Sequence, residues 1–206
     1  MGLDYSYLLY FDRKLQWEAL QAVVDIGSHH QPPTKIVFPN RELDIPLESW
    51  SANKGKYHYN DDILAFHFSI DFEEDEAIEY YMRNRGDKEN YRSPPEALTP
   101  RMVSIGYIYL DIYTGASDRL TGRGGQNLVA FDFGTTGTRM SLLFDESTSI
   151  RKKFVEMLDR VPGICGVFNR EDNGEVFWYR GQSLDEYIPD PYLLPSKIKD
   201  MLDLQD

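Results

Sequence analysis

The residue types best suited to binding a phosphate stand together in one stretch, Asp132 to Arg139. It contains the carboxylate of Asp132, the hydroxyls of Thr135 and Thr136, two glycines and the guanidinium of Arg139. Glycines adopt positive φ readily, so the same residues also suit a tight turn between two strands. The stretch therefore has two candidate roles, a phosphate site and a structural turn.

Asp132 to Arg139 resembles the first phosphate loop of the actin, sugar kinase and Hsp70-type ATPase superfamily, in which this loop joins two strands. The resemblance implies that Asp132 would help to place a metal and that the loop would approach the nucleotide phosphates. That family also has a second aspartate-glycine phosphate loop and a glycine-rich adenosine segment, which the 206 residues do not contain. We therefore expect a hairpin turn. Phosphate or nucleotide binding through Asp132, Thr135, Thr136 and Arg139 is the alternative.

The other reactive residue types form no recognisable catalytic or metal-binding pattern. No G-x-S-x-G sequence occurs, and the single Cys165 has no second cysteine with which to pair. Gly122 to Gly125 could form an anion-binding nest, but we expect a flexible connection there. We expect no catalytic residue, metal or cofactor. The histidines, which lack the spacing of a zinc protease, are His29, His30, His58 and His67.

Acidic and aromatic residues are concentrated in the middle of the chain. The consecutive residues Glu73, Glu74, Asp75 and Glu76 are followed by Tyr80 and Tyr81. Acidic residues favour the first turn of a helix, so we expect a short helix over residues 73–85. Tyrosine contributes a large contact area at low entropic cost and is typical of protein interfaces. We predict that these six residues bind a partner, with tyrosines packed along a sheet as the alternative.

The composition is that of an acidic globular protein. The chain has 22 Lys and Arg against 34 Asp and Glu, a net charge of -12, and 41% hydrophobic residues. This charge argues against binding to nucleic acid or to an anionic membrane, and it favours a basic protein partner. With one cysteine, no long apolar run and no signal-peptide pattern, we expect a cytoplasmic protein that is a monomer or a homodimer.

The apolar patterns predict the elements that must position these residues. Residues 5–11 read as a strand, residues 15–24 have helical spacing, and residues 35–38 and 43–47 form a hairpin. Near the C-terminus we expect a strand over 140–144, a helix over 150–161 capped by Ser147 or Ser149, and a hairpin at Asn173 and Gly174. Long strands over 63–72, 103–113 and 127–133 lie between the two units.

These elements predict an α+β fold with a large antiparallel sheet and two principal helices. Both units have the order β-α-β-β and share short sequence similarities, which suggests a degenerate duplication, with chance as the alternative. We expect one domain over residues 1–188, in which half-units 1–56 and 127–188 flank a middle segment, 57–126.

Residues 189–206 are expected to form a C-terminal docking tail. Ser196 is the expected cap of a last helix, in which Ile198, Met201 and Leu202 share one face. We expect the tail to dock on its own domain, with exchange between two copies as the alternative.

Together these patterns favour a non-catalytic protein that binds a protein partner through an acidic, tyrosine-rich surface. By analogy of size and charge, such a protein would act as an inhibitor or immunity protein against a basic toxin. The alternative is a small enzyme or a phosphate-binding protein that uses residues 132–139.

Overall fold

The computed structural model describes residues 2–27, 34–38, 41–49, 56–58, 63–84, 101–114 and 127–205. Within these residues the helices are α1 (Gln16–Ile26), α2 (Glu76–Asn84), α3 (Thr138–Glu146), α4 (Thr148–Arg160) and α5 (Pro195–Leu202). The strands are β1 (Ser6–Asp12), β2 (Thr34–Phe38), β3 (Arg41–Ile45), β4 (Glu48–Ser49), β5 (Lys56–His58), β6 (Ile63–Glu73), β7 (Met102–Tyr113), β8 (Leu128–Gly134), β9 (Cys165–Asn169), β10 (Gly174–Tyr179) and β11 (Gln182–Ile188).

Eight of these strands form one antiparallel sheet in the order β11-β10-β9-β1-β8-β7-β6-β4. Strand β1 lies in the middle, where Ser6 is opposite Gly134 of β8 and Asn169 of β9. A smaller sheet has the order β3-β2-β5, with the predicted β2–β3 hairpin antiparallel and β5 parallel to β2. The predicted α+β fold with a large antiparallel sheet is therefore confirmed.

The first face of the large sheet carries the larger core. Alternate residues of β1 point to this face, and Tyr7, Leu9 and Phe11 are each no more than 2% exposed. The predicted helices α1 and α4 pack on it. The ring of Phe154 on α4 lies 4.5 Å from that of Tyr7 and 4.8 Å from that of Phe133, measured between centroids.

The second face carries a smaller core at one end of the sheet. Leu8 and Tyr10 of β1 point to this face and are buried with Cys165 of β9. Leu194 and Ile198, from the start of α5, complete the same cluster. The C-terminal residues thus cover part of the second face.

The stretch from Met140 to Phe144 is helical, so the predicted strand there is wrong. Met140, Leu143 and Phe144 are buried while Leu142 is exposed, which is the i, i+3, i+4 spacing of a helix. A five-residue apolar run fits both the helical and the strand period, so the sequence alone does not decide between them. The preceding Gly137 starts a helix instead of a hairpin, because its carbonyl accepts the N–H of Ser141. Residues 135–137 are therefore a strand-to-helix connection.

Two predicted helix starts also differ from the structure. The acidic helix begins at Glu76, because β6 continues through Glu73. The last helix begins at Pro195 with Leu194 as its N-cap residue, since proline suits the first helical position, and Ser196 is not the cap. Ser147 does cap α4, because its hydroxyl accepts the N–H of Ile150 at 3.2 Å.

The structure does not show the duplication. Hairpin β2–β3 belongs to the small sheet, whereas hairpin β9–β10 joins the large sheet beside β1. In addition, two α-helices, α3 and α4, separate β8 from β9, whereas α1 is the one α-helix among the described residues between β1 and β2. Among the described residues, no helix is long and apolar enough to cross a membrane.

Candidate functional site

The acidic run from Glu73 to Glu76 does not form one continuous patch. Glu73 ends β6, and its carboxylate lies 2.9 Å from Nζ of Lys152 on α4. Glu74 is half-buried and Glu76 is exposed at the start of α2. The Glu73 and Asp75 carboxylates both form contacts within the chain, which leaves Glu76 as the most outward-facing of the four.

Asp75 joins the starts of two helices. Its carboxylate accepts the backbone N–H of Ile78 at 2.9 Å in α2 and that of Ser149 at 3.0 Å in α4, and the Ser147 hydroxyl donates to it at 2.8 Å. Burial by itself would raise the pKa of Asp75, but these hydrogen bonds stabilise the carboxylate and lower the pKa below its ordinary value. The structure therefore gives Asp75 a positioning role for α2.

Tyr80 and Tyr81 lie beside α3, where a groove of 370 Å³ separates the two helices. We call this feature the α2–α3 groove. Its polar and aromatic lining is Tyr80, Tyr81 and Asn84 from α2, and Arg139 and Glu146 from α3. The apolar lining is Ala77, Leu142 and Leu143.

Both helices present residues to the groove at the same helical spacing. On α2 the lining includes Ala77, Tyr80, Tyr81 and Asn84, which is i, i+3, i+4 and i+7. On α3 the lining positions 139, 142, 143 and 146 repeat that spacing. The groove is therefore formed by one stripe from each helix, with the start of the α3 stripe beside the end of the α2 stripe. The helical period of residues 139–146 was the sequence signal that could have found it.

Large side chains remain exposed on both sides of the α2–α3 groove. Tyr80 is 69% exposed and Leu142 is 44% exposed, whereas Ile78 and Leu143, which anchor the two helices in the core, are buried. Single exposed apolar residues are ordinary on protein surfaces. Here an aromatic and an aliphatic side chain stand on adjacent helices around one concavity, which is the arrangement of a small contact patch.

Charged groups mark the two ends of the α3 stripe. Arg139 donates to the backbone carbonyl of Asn84 at 3.4 Å, at the end of α2. Glu146 is exposed two turns away, roughly 10 Å along the helix. Glu76 precedes Tyr80 by one turn on the same face of α2. The groove thus has an arginine at one end and carboxylates near the other.

The four residues of the alternative phosphate site are not brought together. Asp132 lies opposite Leu8 in the sheet and so points to the second face, whereas Arg139 lines the α2–α3 groove. Thr135 is buried, and Thr136 is exposed with its hydroxyl 3.7 Å from the Met140 sulfur. This placement offers no single concavity in which the four side chains would contact one phosphate.

The hydroxyls of Thr135 and of the first turn of α3 contact one another and the N-terminal segment instead. The Thr135 and Ser141 hydroxyls are 2.7 Å apart, and Ser141 also donates to the carbonyl of Leu3 at 2.7 Å. The Thr138 hydroxyl accepts the N–H of Leu3 at 3.0 Å. Thr135, Thr138 and Ser141 therefore have a structural role in holding the N-terminal segment and the start of α3 together.

The remaining reactive residues do not converge on a second chemical centre within the described ranges. His58 is exposed on β5, and His67 lies on β6 with its ring centroid 5.2 Å from that of Tyr109. Cys165 is fully buried, which raises the pKa of its thiol. No group of histidine, cysteine and acidic residues there could hold a metal. His29, His30 and Gly122 to Gly125 lie outside the described residues.

The sequence analysis did not predict one cluster of charged residues. Arg170 on the β9–β10 turn contacts Asp145 of α3 at 2.7 Å and Glu175 of β10 at 2.9 Å. Arg151 of α4 binds Glu175 and Asp185. The charges alternate and satisfy one another, so the cluster fixes α3 and α4 against the sheet.

Comparisons with protein families, with curated proteins and with solved structures found no match for this chain.

Proposed function

We propose that the protein is a non-catalytic binding protein whose protein partner inserts an apolar side chain into the α2–α3 groove. The observation that carries this proposal is the pair of exposed side chains, Tyr80 and Leu142, on two adjacent helices around one groove. Aromatic anchors surrounded by polar residues are the usual energetic centres of protein interfaces.

The partner is expected to be basic. The chain carries a net charge of -12, and Glu76 and Glu146 lie beside the groove. Carboxylates around an apolar contact speed the encounter with a positively charged surface and reject an acidic one. By analogy of size and charge, the protein would act as an inhibitor or immunity protein against a basic toxin.

Photo-crosslinking from inside the groove tests this proposal. Tyr80 is replaced by p-benzoylphenylalanine, and the matched control places the same group at Tyr187, which is 65% exposed on β11. In cells of the source organism, irradiation should give a discrete covalent adduct from position 80 and none from position 187. Adding Leu142→Glu should reduce the yield of the adduct roughly five- to thirtyfold. This is the change in affinity expected when about one to two kcal/mol of binding free energy is lost at one contact residue.

Two outcomes would contradict the proposal. Equal adducts from positions 80 and 187 would show non-specific contact, and no adduct at position 80 under conditions where the protein is abundant would show that the groove has no partner. A discrete adduct that is unchanged by Leu142→Glu would also reject the groove as the site, since Leu142 stands on its other side.

A further inference from the structure

A second concavity, of 570 Å³, separates α1 from β3. We call it the α1–β3 cleft. Trp17, Leu20 and Val24 line it from α1 at i, i+3 and i+7, and Leu43 and Ile45 line it from β3. Both walls extend for about 10 Å along the chain. The cleft is therefore an apolar channel between one helix and one strand.

Strand β3 is an edge strand of the small sheet. The order of that sheet is β3-β2-β5, so β3 pairs with β2 on one side, and no strand among the described residues pairs with its other side. In an antiparallel pair, the backbone N–H and C=O groups of every second residue point away from the partner strand. An edge of this kind can hydrogen-bond to an added strand.

The position of Asp44 indicates that this edge faces the cleft. Its carboxylate lies on the outer face of the small sheet, opposite to the side chains of Leu43 and Ile45, and 3.7 Å from Nζ of Lys35. Asp44 nevertheless lines the cleft. It therefore borders the cleft through its backbone, and Glu42, two positions earlier in the strand, turns its backbone in the same direction.

The charged side chains at the cleft leave its walls apolar. Glu18 is exposed near the start of α1, and Arg160 is bound to Asp25 near the end of that helix. The ring of Trp17 is held by Phe38 of β2, with centroids 4.2 Å apart. The channel between these groups suits apolar side chains carried on an extended backbone.

The outer face of the small sheet favours one kind of added strand. Nζ of Lys35 on β2 lies 2.9 Å from the Glu42 carboxylate, and Nζ of Lys56 on β5 lies 3.4 Å from it. Basic side chains on β5 and β2 are thus followed by acidic side chains on β3, where the Asp44 side chain is 65% exposed. Opposite charges on neighbouring strands stabilise a sheet, so a lysine or arginine on the next strand continues this alternation.

A second copy of the chain fits this edge poorly. Antiparallel pairing of β3 with itself about Leu43 would place Glu42 of one copy opposite Asp44 of the other. Pairing about Asp44 would place two Asp44 carboxylates opposite each other. Like charges directly opposite each other destabilise a sheet, and charged side chains on an edge protect it against self-association.

From this geometry we infer that the α1–β3 cleft binds an extended peptide segment of a partner protein, added as a strand to the edge of β3. The backbone of the segment hydrogen-bonds to Glu42 and Asp44, and its alternate apolar side chains pack against Leu20 and Val24. The side chains between them lie on the outer face, where a lysine or arginine is opposite Asp44. In strand addition, main-chain hydrogen bonds give affinity and pockets for alternate side chains give specificity. Among the described residues, the cleft and the α2–α3 groove share no lining residue, so the two sites are separate.

Selection from a phage-displayed library of random linear peptides tests this inference on the full chain. Peptides that also bind the Val24→Phe variant are discarded, because residue 24 is partly exposed and a phenylalanine there would fill the cleft. The remaining enriched peptides should alternate apolar residues with polar ones, as an added strand requires. The most enriched of them is then synthesised as the probe.

Fluorine NMR of the chain labelled with 5-fluorotryptophan locates the bound peptide. The chain has Trp17, Trp50 and Trp178, and a Trp17→Phe variant assigns the reporter line. The peptide should shift the Trp17 line saturably. Trp178, whose Nε1 donates to Asp159 at 3.3 Å, is an internal check on the fold, and its line should stay in place.

Two N-methylated forms of the peptide distinguish strand addition from simple apolar contact. Methyl groups on one alternate set of backbone nitrogens block the donors that face β3, and they should weaken binding about tenfold or more. Methyl groups on the other set point away from β3 and should change the affinity by less than about threefold. Equal losses from the two sets would contradict strand addition.

Asp44→Pro removes a backbone donor from the protein side. Proline is tolerated in edge strands where its nitrogen faces outward, and Asp44→Asn, which keeps the N–H, is the matched control. The proline variant should bind the peptide about tenfold or more weakly than the asparagine variant, with the Trp178 line in place. If the Trp178 line moves in Asp44→Pro, the N-methylated peptides on the original chain decide.

The inference is overturned if no enriched peptide is lost in Val24→Phe, or if the peptide leaves the Trp17 line unshifted. It is also overturned if the two N-methylated peptides bind equally, or if a folded Asp44→Pro variant binds as tightly as Asp44→Asn. None of these results would alter crosslinking from position 80, so the two proposals fail separately.

Discussion

At Asp75 a single carboxylate satisfies backbone donors of two helices that are far apart in sequence. The acidic run predicted a helix over residues 73–85, and α2 does form there, but it begins at Glu76, one residue after Asp75. The contact with Ser147 and Ser149 could not be predicted, since a partner more than seventy residues away depends on how α4 packs. The same limit applies to Thr135 and Ser141, whose residue types suit both phosphate binding and an internal hydrogen bond.

Replacing Asp75 with alanine should lower the free energy of unfolding by about 1 to 2 kcal/mol, the range measured for lost helix caps. The variant removes the acceptor for Ile78 and Ser149, so α2 should fray first. Urea unfolding followed by circular dichroism measures the difference. Glu74→Gln changes the neighbouring charge without removing these bonds, and it should shift stability by less than about 0.5 kcal/mol.

The effect of Asp75 should depend on pH in a defined direction. Its pKa is lower in the folded chain than in the unfolded one, where it is about 3.9. Its stabilisation is therefore fully present above that value and is lost as the pH falls through the folded pKa. The difference between the original chain and Asp75→Ala should stay constant from about pH 7 to 5 and shrink below about pH 4. A difference that grows on acidification would contradict the assignment.

Isothermal titration with Mg-ATP should give no heat of binding. Thr135 is buried against Ser141, and Asp132 and Arg139 lie on different surfaces, so the proposed phosphate ligands do not converge. Saturable heat that disappears in Thr136→Ala would revive the phosphate interpretation. That variant is chosen because Thr136 is exposed and its replacement leaves the Thr135–Ser141 contact in place.

At the scale of elements, long periodic patterns and strands joined by a recognisable turn were predicted well, whereas an isolated short apolar run was not. The apolar stripe of α4 spans three turns, so its helical period was unambiguous. The run from Met140 to Phe144 spans five residues, and only packing on the core decides its conformation. Strand β11 was missed because its residues are mostly exposed and polar, and it exists by pairing with β10.

Within α4, Phe154→Ala and Leu158→Ala should each cost roughly 2 to 5 kcal/mol of unfolding free energy. Both residues are fully buried, and Phe154 packs on the rings of Tyr7 and Phe133. Glu156 lies on the exposed side of the same helix, so Glu156→Ala should change stability by less than about 0.5 kcal/mol. Equal urea midpoints for the three variants would contradict the buried stripe.

For the whole molecule, the large sheet explains why two separate cores form. Successive residues of β1 point to opposite faces, so Tyr7 enters one cluster and Leu8 the other. The sequence predicted the long strand over residues 63–72, but the covering of one end of the second face by the C-terminal residues depends on long-range packing. The α2–α3 groove could be predicted only in part, because Tyr80 and Leu142 are sixty-two residues apart.

Removing residues 190–206 should destabilise the chain without changing its oligomeric state. Leu194 and Ile198 are buried against Leu8, Tyr10 and Cys165, whereas Met201, expected on the buried side of α5, is 44% exposed. Losing the burial of those two side chains removes about 3 to 6 kcal/mol of hydrophobic stabilisation and exposes the sheet face beneath them. Light scattering and thermal unfolding should be measured together on both chains. A lower melting temperature with an unchanged mass supports docking on the same chain. A dimer that becomes a monomer would show exchanged tails, and an unchanged mass and melting temperature would show that the tail contributes nothing to the fold.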